Sequence, residues 1–236
     1  GSDMKVRIVS YSQPHQDFLE ETGMSSLEEL VAYCARVSNP SNQNNTQTSG
    51  KLIRYLINNK HWSPLEMVSI CLEIETTRDI ARQILRHRSF SFQEFSQRYA
   101  DPTAELDEAF VLREARFQDT KNRQNSIDID ATDEQQRLLG IEWERAQKRV
   151  LYAVKEAYQW AIDHGIAKEQ ARAVLPEGLI ESRLYMNGTL RSWIHYCQLR
   201  MGPETQKEHR EVALDAWYQI TEVFPSLKDA LDLGEK

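Results

Sequence analysis

The chain is poor in the residues that staple or thread small proteins. Its 236 residues include three cysteines, Cys34, Cys71 and Cys197. They are odd in number, widely spaced and never paired as CxxC, which argues against a disulfide framework or a structural zinc site. They read instead as reduced, intracellular core hydrophobes. HExxH is absent, and Glu208-His209-Arg210-Glu211 fits no metal-binding pattern, so no metal is expected. No run approaches the ~18 apolar residues that cross a bilayer, and no secretory leader precedes the first strand. A cytoplasmic chain without membrane attachment is therefore expected. Positive charge is not in excess: 29 Lys and Arg against 36 Asp and Glu leave −7, a poor match for non-specific nucleic-acid binding. Against these absences stand 40% apolar residues, five Trp and nine Tyr, enough for one substantial core. Gly1-Ser2-Asp3 ahead of Met4 reads as a cloning remnant, leaving residues 4–236 as a single domain.

Hydrophobic periodicity predicts an α+β fold, with a small mixed or antiparallel sheet flanked by long helices. Val6 and Ile8 alternate in a first strand, Lys5 to Val9. Ser25 or Ser26 caps a helix with Leu27, Leu30, Val31 and Cys34 on one face. Residues 41 to 50 read as loop and Lys51 to Asn59 as helix. Ser63-Pro64 marks a single helical turn. Val68, Ile70, Leu72 and Ile74 form the clearest strand, and Thr76 or Thr77 caps a helix through Ile80, Ala81, Ile84 and Leu85. Residues 101–133 are polar, partly strand (Ala109 to Arg113) and partly mobile loop. A long helix from about Thr132 to His164 carries Leu139, Trp143, Ala146, Val150, Val154, Ala157 and Ala161 on one side, stopped by Gly165. A helix Lys168 to Leu175, a strand Leu179 to Met186, a helix capped by Thr189 and a last helix from about Pro203 complete the chain. Trp193 and Trp217, at helical spacing, are expected in the core.

Local charge reverses the global sign. Between Arg78 and Arg98 stand five arginines (78, 82, 86, 88, 98) and two acids, a local +3 without a lysine. Guanidinium forks grip phosphate or carboxylate bidentately, where an ammonium acts as a point charge. Arg82 and Arg86 lie one helical turn apart, with Gln83 beside them. A solvated helix face with a cation favoured at its C-terminus explains the same spacing. The residues that follow tilt the balance: Ser89, Ser91 and Ser96 interleave with Phe90, Phe92 and Phe95, a lining suited to a phosphorylated heterocycle.

Arg86-His87-Arg88-x-x-Ser91-x-Gln93-Glu94-x-Ser96-x-Arg98 resembles the RHRxxSxNExSxR signature of the flavin-dependent thymidylate synthases, with Gln93 in place of the usual Asn. Ala35-Arg36-Val37-Ser38, His61-x-Ser63-Pro64-x-Glu66 and Ala81-Arg82-Gln83 resemble the family's N-terminal half. Ala171-Arg172-x-x-Leu175-Pro176, Leu190-Arg191-Ser192-Trp193 and Leu199-Arg200 resemble its C-terminal half. Thr189 and His195 stand where Asn can occur. The resemblance implies conversion of dUMP to dTMP, with methylenetetrahydrofolate as carbon donor and NADPH as reductant through FAD. It also implies a homotetramer with flavin sites at subunit interfaces, in the cytoplasm (the host's, if the chain is virus-encoded). It places Ser38, His61, Ser63, Arg86, His87, Arg88, Ser89, Glu94, Thr189, Leu190, Arg191 and His195 at FAD. Gln83, Ile84, Leu85, Arg86, Glu94, Phe95, Ser96, Gln97, Arg98, Arg172 and Arg200 fall at dUMP. Buried phosphates without cations are costly, so arginines from separate segments must converge.

The resemblance makes Arg200 the catalytic residue: a permanently cationic fork suited to favour ionisation of the uracil ring and activate C5. Ser96 has no spaced His-Asp pair to make it a nucleophile, so its hydroxyl is expected to bind nucleotide. His87 is expected as a flavin contact or structural imidazole, with a proton shuttle as the alternative. Arg183 and Arg191 are expected to pair with Glu181 or Glu177, and His195 also fits an ordinary hydrogen-bonded histidine. Two rival classes remain: an RNA-binding module, opposed by the net −7, and the cysteine-dependent thymidylate synthases, which need an activated thiolate.

Overall fold

The computed structural model describes residues 5–45, 48–95 and 109–231. They form an α+β structure that falls into two compact units.

The first unit comprises Gly1–Ile74, Leu85–Gln93 and Leu184–Lys236. It opens with β1 (Lys5–Tyr11), α1 (Gln16–Thr22), α2 (Leu27–Ala35) and α3 (Ser49–Asn58), and a 3₁₀ turn, Ser63–Glu66, precedes β2 (Ser69–Thr77). Ser26 caps α2 by accepting from the Glu29 backbone N–H, as the capping pattern predicts. Helix α1, absent from the periodicity reading, buries no residue and so leaves no apolar stripe to detect. After β3 (Ser91–Glu94), the unit resumes with β6 (Glu181–Thr189), α7 (Leu190–Arg200) and α8 (Lys207–Val223), the sheet running β1-β2-β6-β3. β2 and β6 begin or end in the other unit.

Trp193, Trp217, Ile70, Leu72 and Ile220 are all essentially inaccessible, each contributing roughly 1.5–3 kcal/mol of burial. The Trp193 indole N–H donates to the Ile70 carbonyl at 2.9 Å, tying α7 to β2 inside this core. The expected last helix starts later than Pro203, at Lys207. Of the three cysteines only Cys197 is fully buried; Cys34 is exposed and Cys71 half-buried, correcting the expectation of three core thiols.

The second unit comprises Glu75–Ile84 and Glu94–Arg183. It holds α4 (Arg78–Ile84), an antiparallel hairpin of β4 (Arg116–Gln118) and β5 (Ser126–Asp128), the long α5 (Glu134–Asp163), α6 (Lys168–Ala171) and a 3₁₀ turn, Arg172–Val174. Two expectations fail here. Ala109 to Arg113 makes a single bridge, Phe110 to Ile180, and the regular strands lie further on. The buried stripe of α5 is Gln147, Leu151, Val154, Tyr158 and Ala161, while Leu139, Trp143 and Val150 are exposed. A polar clamp sets this rotation: Gln147 accepts from the Arg113 backbone N–H at 2.7 Å and donates to its carbonyl at 2.9 Å. Gly165, at φ 74°, ends the helix region as expected.

Gly188 in β6 is required by a close approach. A Cβ there would stand 2.5 Å from Phe90 Cδ1 and 2.7 Å from Cε1. Phe90 follows the Arg86-His87-Arg88 turn and packs edge-on against Trp193, with centroids 4.7 Å apart. Gly188→Ala is therefore expected to push Phe90 out and destabilise the chain by about 1–3 kcal/mol. Thermal melting measures this; an unchanged Tm would refute the close-packing argument.

Candidate active site

In the first unit, the N-terminus of α7 gathers residues from two distant segments. Thr189 caps the helix by accepting from the Ser192 N–H at 3.2 Å, and the Leu190 N–H donates to the Val68 carbonyl at 3.0 Å. Arg191 donates to Glu66 at 2.7 Å, not to the expected Glu181 or Glu177. β6 leads straight into α7, which sets Arg191 beside the Ser63–Glu66 turn. Both partners are substantially exposed, so the pair is worth little and is readily exchanged for a ligand anion. The His195 ring meets Trp62 edge-on at 4.5 Å, and His61 meets Tyr55 at 6.0 Å. Burial and the Arg191 charge hold His195 below the ordinary imidazole range. His61 and Ser63 are exposed, whereas Leu190 is fully buried and offers a ligand only its backbone. The set combines hydroxyls, imidazoles and a guanidinium at a helix N-terminus, donor chemistry that fits a dinucleotide such as FAD. Ser38 stands exposed beyond α2, next to Arg36, which is buried and donates to Thr48 Oγ1 at 2.7 Å and to the Asn45 carbonyl.

The cationic turn follows α4, which ends at Ile84, before the cluster it was expected to contain. Arg86, Arg88 and Ser89 are exposed, and among the described residues no carboxylate pairs with Arg86 or Arg88. His87 points the other way: its Nε2 accepts from Arg200 Nε at 2.9 Å. Since a guanidinium only donates, His87 is neutral with its proton on Nδ1. Burial and the Arg200 charge both lower its proton affinity. Tyr196 and His209, neither singled out by the sequence, stand behind this pair, with the Tyr196 hydroxyl 2.8 Å from His209 Nε2. Tyr196 lies one turn before Arg200 on α7, a spacing that was the available signal.

In the second unit, a cavity of about 600 Å³ is lined by Arg78, Glu94, Phe95, Glu169, Arg172 and Ser182 among others. Glu94, Phe95 and Arg172, three residues implied for dUMP, thus converge, and the volume suits a nucleotide-sized ligand. Glu94 accepts from Ser182 Oγ at 3.1 Å. Gln83 is half-buried in α4, and Ile84 is fully buried, contacting a ligand only through its backbone. Leu85, in the first unit, is half-buried just after that helix. Ser96, Gln97 and Arg98 lie outside the described residues. The arginines of α4 are already matched: Arg82 reaches Glu177 at 2.5 Å and Arg78 approaches it at 3.9 Å. Arg183 pairs with Glu75 at 2.9 Å, again not with Glu181 or Glu177. Among the described residues, no cluster suited to a metal ion is present.

Burial, the Arg200 charge and repulsion from His87 once that ring is itself protonated push His209 down to about 3 from the ordinary 6.5. With the folded value below the unfolded one, the unfolded chain takes up the proton first. The stability of the neutral form is complete above about 6.5 and declines as pH falls towards 3. Tm is expected to drop across this window, and His209→Gln to flatten the decline; equal slopes in the two proteins would contradict the assignment.

The family model described as thymidylate synthase complementing protein matches residues 19–226. A protein of Synechocystis sp. named flavin-dependent thymidylate synthase is 46% identical over 97% of this chain and 100% of its own length. A probable flavin-dependent thymidylate synthase of Paramecium bursaria Chlorella virus 1 is 44% identical over 97% of this chain and 99% of its own. The crystal structure of a UMP/dUMP methylase, PolB from Streptomyces cacaoi, bound with 5-Br dUMP, superposes with a TM-score of 0.76 at 28% identity, covering 97% of this chain and 94% of that one. The exposed arginine turn, the donor-lined helix start and the cavity around Arg172 are carried by a chain that belongs to the flavin-dependent thymidylate synthase family.

Proposed function

We propose that this chain makes dTMP from dUMP, taking the carbon from methylenetetrahydrofolate and the reducing equivalents from NADPH through FAD. The observation that carries the reading is the convergence of the adjacent Glu94 and Phe95 with the sequence-distant Arg172 on one nucleotide-sized cavity in a member of this family. Bound FAD supplies the hydride chemistry. Thr189, Arg191, His195, His61 and Ser63 hold it, with Ser38 and the backbone of Leu190. Arg86, Arg88, His87 and Ser89 take its charged or polar groups, and Glu94 contributes to both ligands.

For dUMP, Arg172 and Arg86 meet the phosphate, while Gln83, the backbone of Ile84 and Leu85, and Phe95 to Arg98 line the nucleotide. Arg200 stabilises the negative charge that develops on the uracil ring as C5 becomes nucleophilic. Its Nε is spent on His87, which leaves both terminal amino groups for that charge. No thiolate takes part: partial desolvation raises the Cys34 and Cys71 thiols, and burial raises Cys197 strongly. The chain acts as one catalytic domain in a cytoplasmic homotetramer. The exposed Leu138, Leu139, Ile141, Trp143 and Tyr152 of α5 support subunit contacts, and no described helix is long and apolar enough to cross a membrane.

The assay is dUMP-dependent NADPH oxidation and dTMP formation with added FAD and the folate donor. Oxidation without dTMP, or without dependence on dUMP, would reject the reading. Arg200→Ala is expected to keep its FAD absorbance while kcat falls by about 10²–10³. Replacing all three cysteines by Ala is expected to leave turnover within a few-fold of wild type, measured in the same assay.

A further inference from the structure

Arg200 does not stand alone in the first unit. His87 arrives from the turn after α4, Tyr196 and Arg200 from one face of α7, and His209 from α8. The His87 ring lies edge-on to Tyr196, with centroids 4.9 Å apart and an interplanar angle of 85°, and 6.4 Å from the His209 ring. Tyr196 and His209 are 1% and 0% exposed, and their hydroxyl-to-imidazole bond is 2.8 Å. Trp193, fully buried, packs edge-on against Tyr196 with centroids 5.8 Å apart. The polar pair does what an apolar pair cannot: it fixes the rotation of the Tyr196 ring.

We propose that Tyr196 and His209 are positioning residues for Arg200: their hydrogen bond locks the tyrosine ring, the ring braces the His87 imidazole, and His87 then holds the Arg200 Nε–H so that the guanidinium keeps one orientation. The inference rests on the proposed function, which makes Arg200 the residue that meets the uracil ring. Its physical logic is local. A guanidinium on a flexible stem has many rotamers, and a neutral imidazole acceptor at 2.9 Å selects among them only if the imidazole is itself held. Edge-on packing restrains the His87 ring against tilting, and Tyr196 gives that restraint only while its own hydroxyl is anchored. The titratable and charged groups that face His87 from the elements packed against it are Arg200 and Tyr196 from α7 and His209 from α8. A proton on either imidazole would place a second cation beside Arg200, and burial together with the Arg200 charge opposes both protonations.

The experiment uses the full-length, flavin-loaded protein. Tyr196→Phe keeps the ring and removes its anchor; His209→Gln keeps a polar group of different shape and serves as the second variant. Each is expected to lower kcat for dTMP formation about ten- to hundredfold, with KM for dUMP changed less than about twofold and FAD content unchanged. The double variant is expected to be no worse than the more impaired single one, as for residues acting as a unit. In an Arg200→Ala background, Tyr196→Phe is expected to have almost no further effect. The same loss in both backgrounds would show a merely structural role and overturn the proposal, as would wild-type turnover in both variants. Ring ¹⁵N spectra of histidine-labelled protein give a readout independent of catalysis. His87 is expected as the Nδ1–H tautomer in the wild type and as a tautomer mixture in Tyr196→Phe; an Nε2–H signature in the wild type, or spectra unaltered by Tyr196→Phe, would overturn the proposal. If Arg200→Ala retains wild-type turnover, the function assigned to Arg200 falls, and the tautomer spectra still decide whether Tyr196 braces His87.

Discussion

Each arginine in this acidic chain meets one constraint: a guanidinium already matched to a carboxylate has less charge to offer a ligand. Arg78 and Arg82 share Glu177, Arg183 takes Glu75 and Arg113 reaches Asp79. Arg86 and Arg88, just beyond the end of α4, have no carboxylate among the described residues. Arg200 is held by a neutral imidazole, which orients the fork without cancelling its charge. Among the described residues the positive charge is thereby divided into cations matched by carboxylates and cations that are not. A carboxylate in place of His87 would neutralise the Arg200 fork, whereas an imidazole acceptor costs no net charge.

Polar contacts also set element orientation. The Gln147 clamp on the Arg113 backbone determines which side of α5 is buried, and the Arg113 side chain reaches Thr77 Oγ1, Asp79 and the Gly178 carbonyl, knitting the second unit's segments together. In the first unit, the indole N–H of Trp193 and the close approach of Phe90 to Gly188 seat α7 and the cationic turn against the strands. Exposed polar residues such as Arg86, Arg88 and Ser63 sit on short turns next to such anchors, with the rigid elements fixing where each turn lies.

The resemblance of the Arg86-to-Arg98 motif reached the family before any geometry, and the family model agrees on the family. Where sequence reasoning erred, the cause was tertiary. Periodicity placed Leu139, Trp143 and Val150 inward because α5 is apolar over a broad arc, and periodicity takes no account of a glutamine that pairs with a backbone. Arg183 and Arg191 were assigned neighbours in sequence, yet β6 and α7 deliver them to Glu75 and Glu66, respectively. Tyr196 and His209 escaped notice because each is unremarkable until α7 and α8 bring them together.

The amino-acid sequence by itself determined the class of fold, most element cores, a serine cap at Ser25 or Ser26, the Thr189 cap and the glycine stop at Gly165, since these follow from local periodicity and backbone preference. It also determined which residue types are present for phosphate and flavin. Only the tertiary structure decided which arginines are matched by carboxylates, which face of α5 is buried and which buried pair stands behind Arg200. Those outcomes depend on distances between residues far apart in the chain, and neither composition nor spacing encodes such distances.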